Sequence, residues 1–165
     1  MNFKSRYQTP DGFDDLWLSS DGECLTGVHF AGTRQGDDRG IACDLPIFQE
    51  TRHWLDCYFS GREAGFLPNY RIVDELTDFR REVLGLLLEI PFGQTTTYGA
   101  LAKELARRRR VARMSAQAVG GAVGWNPLCI IIPCHRVIGA DGKMTGYGGG
   151  LSNKVALLRH ESRHL

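Results

Sequence analysis

Five consecutive apolar residues, Leu128-Cys129-Ile130-Ile131-Ile132, run directly into Pro133-Cys134-His135-Arg136. A short apolar run stopped in this way predicts a strand buried on both faces. Proline lacks a backbone donor and fixes its own φ, so strand pairing is expected to end at Pro133. Whatever fold forms must bury this run and deliver Cys134 to its end, with His135 beside it. A free thiol has a pKa of about 8.5, so only about a few per cent is thiolate at neutral pH. A neighbouring base or a positive field raises that fraction. The pair therefore reads as a candidate activated nucleophile. The competing reading is a packed core thiol, because free cysteine is among the most buried residue types.

Burying such a run takes a core, and 165 residues with 42% hydrophobic content supply one. That length fits one compact domain or two small ones. No stretch approaches the ~20 apolar residues of a membrane span. Met1-Asn2-Phe3-Lys4-Ser5-Arg6 leads straight into polar residues without a signal-peptide core. A cytoplasmic protein with no membrane partner is expected. The five cysteines, at 24, 43, 57, 129 and 134, are odd in number and form no C-x-x-C pair. Neither a disulfide framework nor a zinc knuckle is suggested. Cys24 and His29 lack a second pair of ligands, so no metal and no cofactor are expected.

The net charge of +1 hides an asymmetry. Residues 1–74 carry 7 basic and 12 acidic side chains, whereas residues 75–165 carry 13 basic and 7 acidic. The positive half holds the cysteine. It would attract a polyanion, nucleic acid being the obvious one, although a solvated surface accounts for charge alone equally well.

The pattern predicts an α/β protein, divided into residues 1–74 and 75–165. In the first part, residues 13–18 and 25–30 read as strands around the turn Ser20-Asp21-Gly22-Glu23. Residues 31–44 read as a loop. Helical spacing runs from Pro46 to Ser60, stopped by Gly61. In the second part, helices are expected after caps at Thr77, Thr97 and Ser115, the latter two running to Ala106 and Val123. The two short helices and their polar connection resemble a helix-turn-helix. Between them lies Arg107-Arg108-Arg109-Arg110-Val111-Ala112-Arg113, read as a basic loop. Asp141-Gly142 predicts a hairpin-type turn. A last helix spans about 151–160, with Leu151, Val155 and Leu158 on one face.

Several ordered motifs surround the cysteine: Ser115-Ala116-Gln117-Ala118-Val119-Gly120-Gly121-Ala122-Val123, Asn126-Pro127, Pro133 to Gly139, Thr145 to Gly150, and Lys154 with Leu157 to Glu161. From about Thr77 to Glu161 the chain resembles the O6-alkylguanine-DNA alkyltransferases. The first 74 residues resemble that family weakly. The resemblance implies a small N-terminal α/β domain with an antiparallel, ribonuclease H-like sheet. It also implies a mainly helical, winged-helix-like C-terminal domain. It implies a single-use protein that flips O6-alkylguanine out of double-stranded DNA and moves the alkyl group irreversibly onto Cys134, with O4-alkylthymine left open as a second substrate. A monomer is expected, with cooperative binding along DNA left open.

By the same resemblance, a water links Cys134 to His135, and Glu161 orients that histidine, in the logic of a triad. Asn126 holds the structure around the cysteine, although Asn before proline also reads as an Asx turn. Tyr98 contacts the flipped base and helps protonate it. Tyr147, Gly148 and Gly149 form the pocket wall, and Lys154 lies near it. Ser115, Gln117, Ala118 and Arg136 are expected on DNA. The small residues of the second short helix suit close approach to the minor groove. Gln117 stands where many family members carry arginine, which leaves wedge insertion into the base stack less well supplied. Two other functions remain open at this point: a lesion-binding relative that transfers nothing, which Cys134 opposes, and a cysteine hydrolase using Cys134 and His135.

Overall fold

The structure, a computed structural model, describes residues 1–33 and 39–165. The expected loop at 31–44 therefore lies partly outside the described residues. Strands β1 (Phe3–Tyr7), β2 (Leu16–Ser20), β3 (Leu25–Phe30) and β4 (Ile41–Ala42) form one sheet in the order β3-β2-β1-β4. β1 and β3 both run antiparallel to β2, but β4 pairs parallel to β1, so the sheet is mixed rather than antiparallel. Alternation explains the inner face: Leu16, Leu18 and Ser20 of β2 are buried while Trp17 and Ser19 are partly exposed. β1 has no apolar alternation, and the sequence pattern does not reveal it. Helix α1 (Pro46–Phe59) begins with proline in its first turn and ends before Gly61, whose φ of 73° is the left-handed value glycine tolerates.

Helices α2 (Asp78–Leu88), α3 (Tyr98–Arg109) and α4 (Ala116–Gly124) pack against one another. The three expected caps form. Thr77, Thr97 and Ser115 accept from the backbone N–H of Arg80, Ala100 and Ala118 at 3.2, 3.1 and 3.1 Å. α3 runs on to Arg109 and ends at Arg110 in the left-handed region, so three of the expected loop arginines are helical. Short strands β5 (Thr96–Thr97) and β6 (Val137–Ile138) pair in parallel, which sets the start of α3 beside the segment that follows Cys134.

The run Leu128–Ile132 is buried but is not the expected strand. Only Leu128 bridges to the sheet, at Val28. The Val28 N–H donates to Pro127 O at 2.9 Å, and the Cys129 N–H donates to Val28 O at 3.0 Å. The chain then reverses through Ile130, whose φ is +70°, and the Ile132 N–H closes back on Leu128 O at 3.0 Å. Cys134 opens a single 3-10 turn, Cys134–Arg136. Asn126 braces the reversal from inside. Its Oδ1 accepts from the Leu128 N–H at 3.0 Å, and its Nδ2 donates to Ile132 O at 2.8 Å. One hydrophobic core runs through both halves of the chain, from Leu16 and Phe30 to Leu87, Val119 and Ile132.

The last helix, α5 (Leu151–Arg163), differs most from expectation. It buries Asn153, Lys154, Leu157, His160 and Glu161, while Leu151 is exposed. The inner face is polar because each of these polar groups finds a partner inside, which removes the cost of burying it.

Replacing Asn126 by alanine strips the reversal of a buried donor and acceptor at once. Each backbone group left unpaired costs about 1–3 kcal/mol. Urea unfolding of Asn126→Ala is expected to show a stability lower by about 3 kcal/mol.

Candidate active site

A cavity of about 520 Å³ opens between α4, the start of α3, the cysteine turn and the loop before α5. That size lies within the roughly 300–1,000 Å³ of small-molecule sites. Cys134, Asn126, Tyr98, Gln117, Tyr147, Gly148 and Gly149 all line it, as do Cys129 and Thr145, to which the family resemblance assigns no role. Gly149 is required where it stands. A Cβ there would lie 2.5 Å from the Tyr147 ring and 2.7 Å from the Phe30 ring. Ser115 and Ala118 lie outside this wall, exposed near the start of α4.

Behind the cysteine sits a buried ionic cluster. His135 Nε2 and Glu161 Oε1 are 2.8 Å apart, both groups being out of contact with solvent. Tyr58 of α1 donates its hydroxyl to the same oxygen at 3.0 Å. The Gly93 N–H donates to Oε2 at 3.2 Å. Arg136 donates Nε to both carboxylate oxygens, at 3.0 and 3.1 Å, and Nη2 to Oε1 at 2.8 Å. Its Nη1 donates to Ile90 O at 2.7 Å. Arg136 is thus spent inside the protein. The expectation that it contacts DNA fails, because the guanidinium is buried and its charge is already paired with the Glu161 carboxylate.

Burial opposes ionisation of Glu161, but the hydrogen bonds and charges of His135 and Arg136 prevail and hold its carboxyl down to about 2. The anion must therefore receive a proton from His135 Nε2, which fixes the tautomer. Nδ1 is left with its lone pair, buried and without a hydrogen-bond partner among the described residues. Burial lowers the His135 pKa despite Glu161, so the ring is neutral at pH 7. A neutral imidazole with a free nitrogen can act as a base.

The Cys134 thiol is held below its ordinary value. A hydrogen bond from Cys129 is the largest cause, with further help from Asn126, Tyr147 and the charge of Lys154, while burial opposes. Lys154 is itself buried and donates Nζ to Val137 O at 2.6 Å and Thr145 O at 3.2 Å. Its ammonium lies 6.0 Å from the Tyr98 and Tyr147 ring centroids and does not itself line the cavity. Burial raises the Tyr98 phenol, which keeps its proton at neutral pH and can donate it. The Tyr147 hydroxyl is buried and faces the two cysteine sulfurs without closing a well-directed hydrogen bond. A thiol biased toward thiolate, a neutral imidazole held by a carboxylate, and a cavity with a phenol donor together suit nucleophilic displacement on a flat, bound group.

Residues 78–163 match the family model described as the 6-O-methylguanine DNA methyltransferase DNA-binding domain. The chain is 39% identical to a methylated-DNA–protein-cysteine methyltransferase from Haemophilus influenzae, over 94% of this chain and 83% of the relative. Its fold superposes on the crystal structure of Mycobacterium tuberculosis O6-methylguanine methyltransferase with a TM-score of 0.82 at 36% identity, covering 100% of this chain and 95% of the other. The structure of the Mycobacterium tuberculosis OGT protein in complex with DNA gives a TM-score of 0.79 at 34% identity, covering 99% and 93%.

The ionic cluster makes stability depend on pH in a defined direction. Glu161 has a folded pKa below its ordinary 4.5. Its contribution, about 3 kcal/mol, is present above that value and disappears as pH falls toward 2. His135 is also lowered, so its penalty begins as pH falls below 6.5. Stability from urea unfolding is expected to be level above about pH 7, to decline below 6.5 and to decline further below 4.5. In Glu161→Gln the lowest limb should flatten, with stability at neutral pH lower by about 3–5 kcal/mol because Arg136 stays buried without its anion.

Proposed function

Since this chain belongs to the methylated-DNA–protein-cysteine methyltransferase family, we propose that its repair chemistry runs through the cavity and cysteine described above. The protein is a DNA-binding, single-use alkyltransferase that takes the alkyl group from O6-alkylguanine in double-stranded DNA onto its own Cys134. The observation that carries the assignment is the position of Cys134: buried, biased toward thiolate, and still part of the cavity wall. Cys134 argues against the role of a lesion reader that transfers nothing. A hydrolase would need no helix pair beside its nucleophile.

His135 Nδ1 takes the thiol proton, in the family mechanism through a bridging water, and Glu161 keeps the imidazole in the tautomer that can accept it. The Cys134 sulfur attacks the alkyl carbon. An S–C bond forms as the C–O bond breaks, and the bonding pair goes to the purine oxygen. The leaving guanine takes up a proton, for which the phenol of Tyr98, still protonated at neutral pH, is the donor on the wall. The thioether has no low-energy reverse path, so one chain repairs one base.

Tyr147, Gly148 and Gly149 frame the flipped base, with Gly149 allowing Tyr147 to fold close against Phe30. Ser115, Gln117 and Ala118 sit on the exposed start of α4, which we place against the minor groove. Gln117 also reaches the cavity rim, where it can hydrogen-bond the orphaned partner base but adds no charge. The division at residue 74, the ribonuclease H-like reading of the first part and the winged-helix reading of the second follow the family. They are supported by the sheet with α1 on one side and by the packed α2–α4 group on the other. A monomer on DNA and a cytoplasmic site complete the reading. Thymine O4-alkyl groups are a secondary substrate on the same geometry.

The arginine segment divides in two. Arg107 and Arg108 pair with Glu104, Arg108 also with Glu89, and Arg109 with Glu82. Arg110 and Arg113 are exposed in the connection between α3 and α4 and make no ion pair among the described residues. These two, and not the helical three, are placed to meet phosphate. In Arg110→Ala/Arg113→Ala the slope of log affinity for duplex DNA against log salt should fall by about 0.9 for each phosphate that is no longer neutralised. Neutralising 107–109 should leave that slope nearly unchanged.

Incubation with O6-benzylguanine followed by intact-mass analysis tests the assignment itself. One benzyl group per chain, mapped to Cys134 and absent from Cys134→Ser, is the expected result. Repeated turnover, or an adduct on another side chain, would refute it.

A further inference from the structure

Cys129 is a second buried thiol in the wall of the same cavity, and no step of the reaction above moves an atom to or from it. Its position follows from the reversal at Ile130. The Ile131 N–H closes on Cys129 O at 2.8 Å, and the Cys134 N–H on Ile132 O at 2.8 Å, so the chain folds back within a few residues. Its own N–H is tied to Val28 O, which anchors it to the sheet. Both side chains line the one cavity, close enough for each thiol to bias the ionisation of the other.

Two thiolates in contact repel, so at most one ionises. The surroundings choose which. Lys154 lies on the Cys134 side and favours the anion there. The Cys129 thiol is raised, first by its bond to Cys134 and then by burial, so it keeps its hydrogen.

We propose that Cys129 is a positioning residue for alkyl transfer: its S–H donates to the Cys134 sulfur and holds it as a thiolate aimed into the cavity. This rests on Cys134 being the acceptor. A sulfur donor suits the task because it is compact, apolar in bulk and weakly hydrated, and so does not draw water into the wall. The other groups facing Cys134 are His135, Tyr98, Tyr147 and Lys154. The two phenols are raised and His135 is lowered, which moves all three away from the thiol's range. Lys154 is lowered by burial but is common to every variant compared.

The test compares the wild-type protein with Cys129→Val, which removes the donor at similar volume, Cys129→Ala, which removes it with less volume, and Cys129→Ser, which restores a donor. Two rates are followed against pH: iodoacetamide labelling of Cys134, read by peptide mass, and benzyl transfer from O6-benzylguanine. Valine and alanine variants are expected to move the labelling midpoint up by about one pH unit and to slow benzyl transfer about tenfold at pH 7. Their rates should converge with wild type at high pH, and serine should recover most of the shift. An unmoved midpoint in the valine and alanine variants overturns the proposal, as does a serine variant that shifts as far as they do. Should iodoacetamide labelling shift while no benzyl group ever reaches Cys134, the thiol pair stands and the acceptor assignment falls.

Discussion

The carboxylate of Glu161 ties the molecule together. It receives hydrogen bonds from Tyr58 in α1, from Gly93 after α2, and from His135 and Arg136 in the cysteine turn. Separate stretches of chain are thus fixed relative to one another by one buried anion on α5. Such a cluster is a poor way to gain stability, since desolvation offsets much of the attraction. Its worth lies in geometry. It sets the His135 ring, its tautomer and the free Nδ1 that the chemistry requires. It also makes the first part of the chain a structural partner of the active site through Tyr58.

The same cluster explains why α5 turns a polar face inward. Hydrophobic spacing puts Leu151, Val155 and Leu158 on one face of the helix. It buries Asn153, Lys154, His160 and Glu161 instead, with Leu157 as the apolar anchor. Apolar periodicity locates a helix face only where that face meets a core. Here it meets carbonyls, an imidazole and a guanidinium. Lys154 shows the consequence: its ammonium is buried but held by two carbonyls, and its charge acts on the Cys134 sulfur.

Charge was legible in bulk and misleading in detail. The excess of basic groups after residue 75 is real, yet three of the five clustered arginines answer to glutamates of the same part of the chain, and Arg136 is sealed inside. Counting charges along a sequence does not reveal which are already paired. That is decided by which helix faces which, as α2 and α3 do through Glu82 with Arg109, and through Glu89, just past the end of α2, with Arg108.

Local chemistry was readable from the sequence alone: the caps at Thr77, Thr97 and Ser115, the stop at Gly61, the helix from Pro46, and the ordered motifs that mark the family. Each depends on a few neighbouring residues, so the chain carries it wherever it folds. The apolar run before Cys134 could not be read so. In a strand, residues five apart point to opposite faces, and Cys129 would have turned away from Cys134. Only the left-handed residue at Ile130, held by Asn126 and by the edge of β3, sets both sulfurs in one cavity. That arrangement needs partners from distant parts of the chain, and tertiary packing alone supplies them.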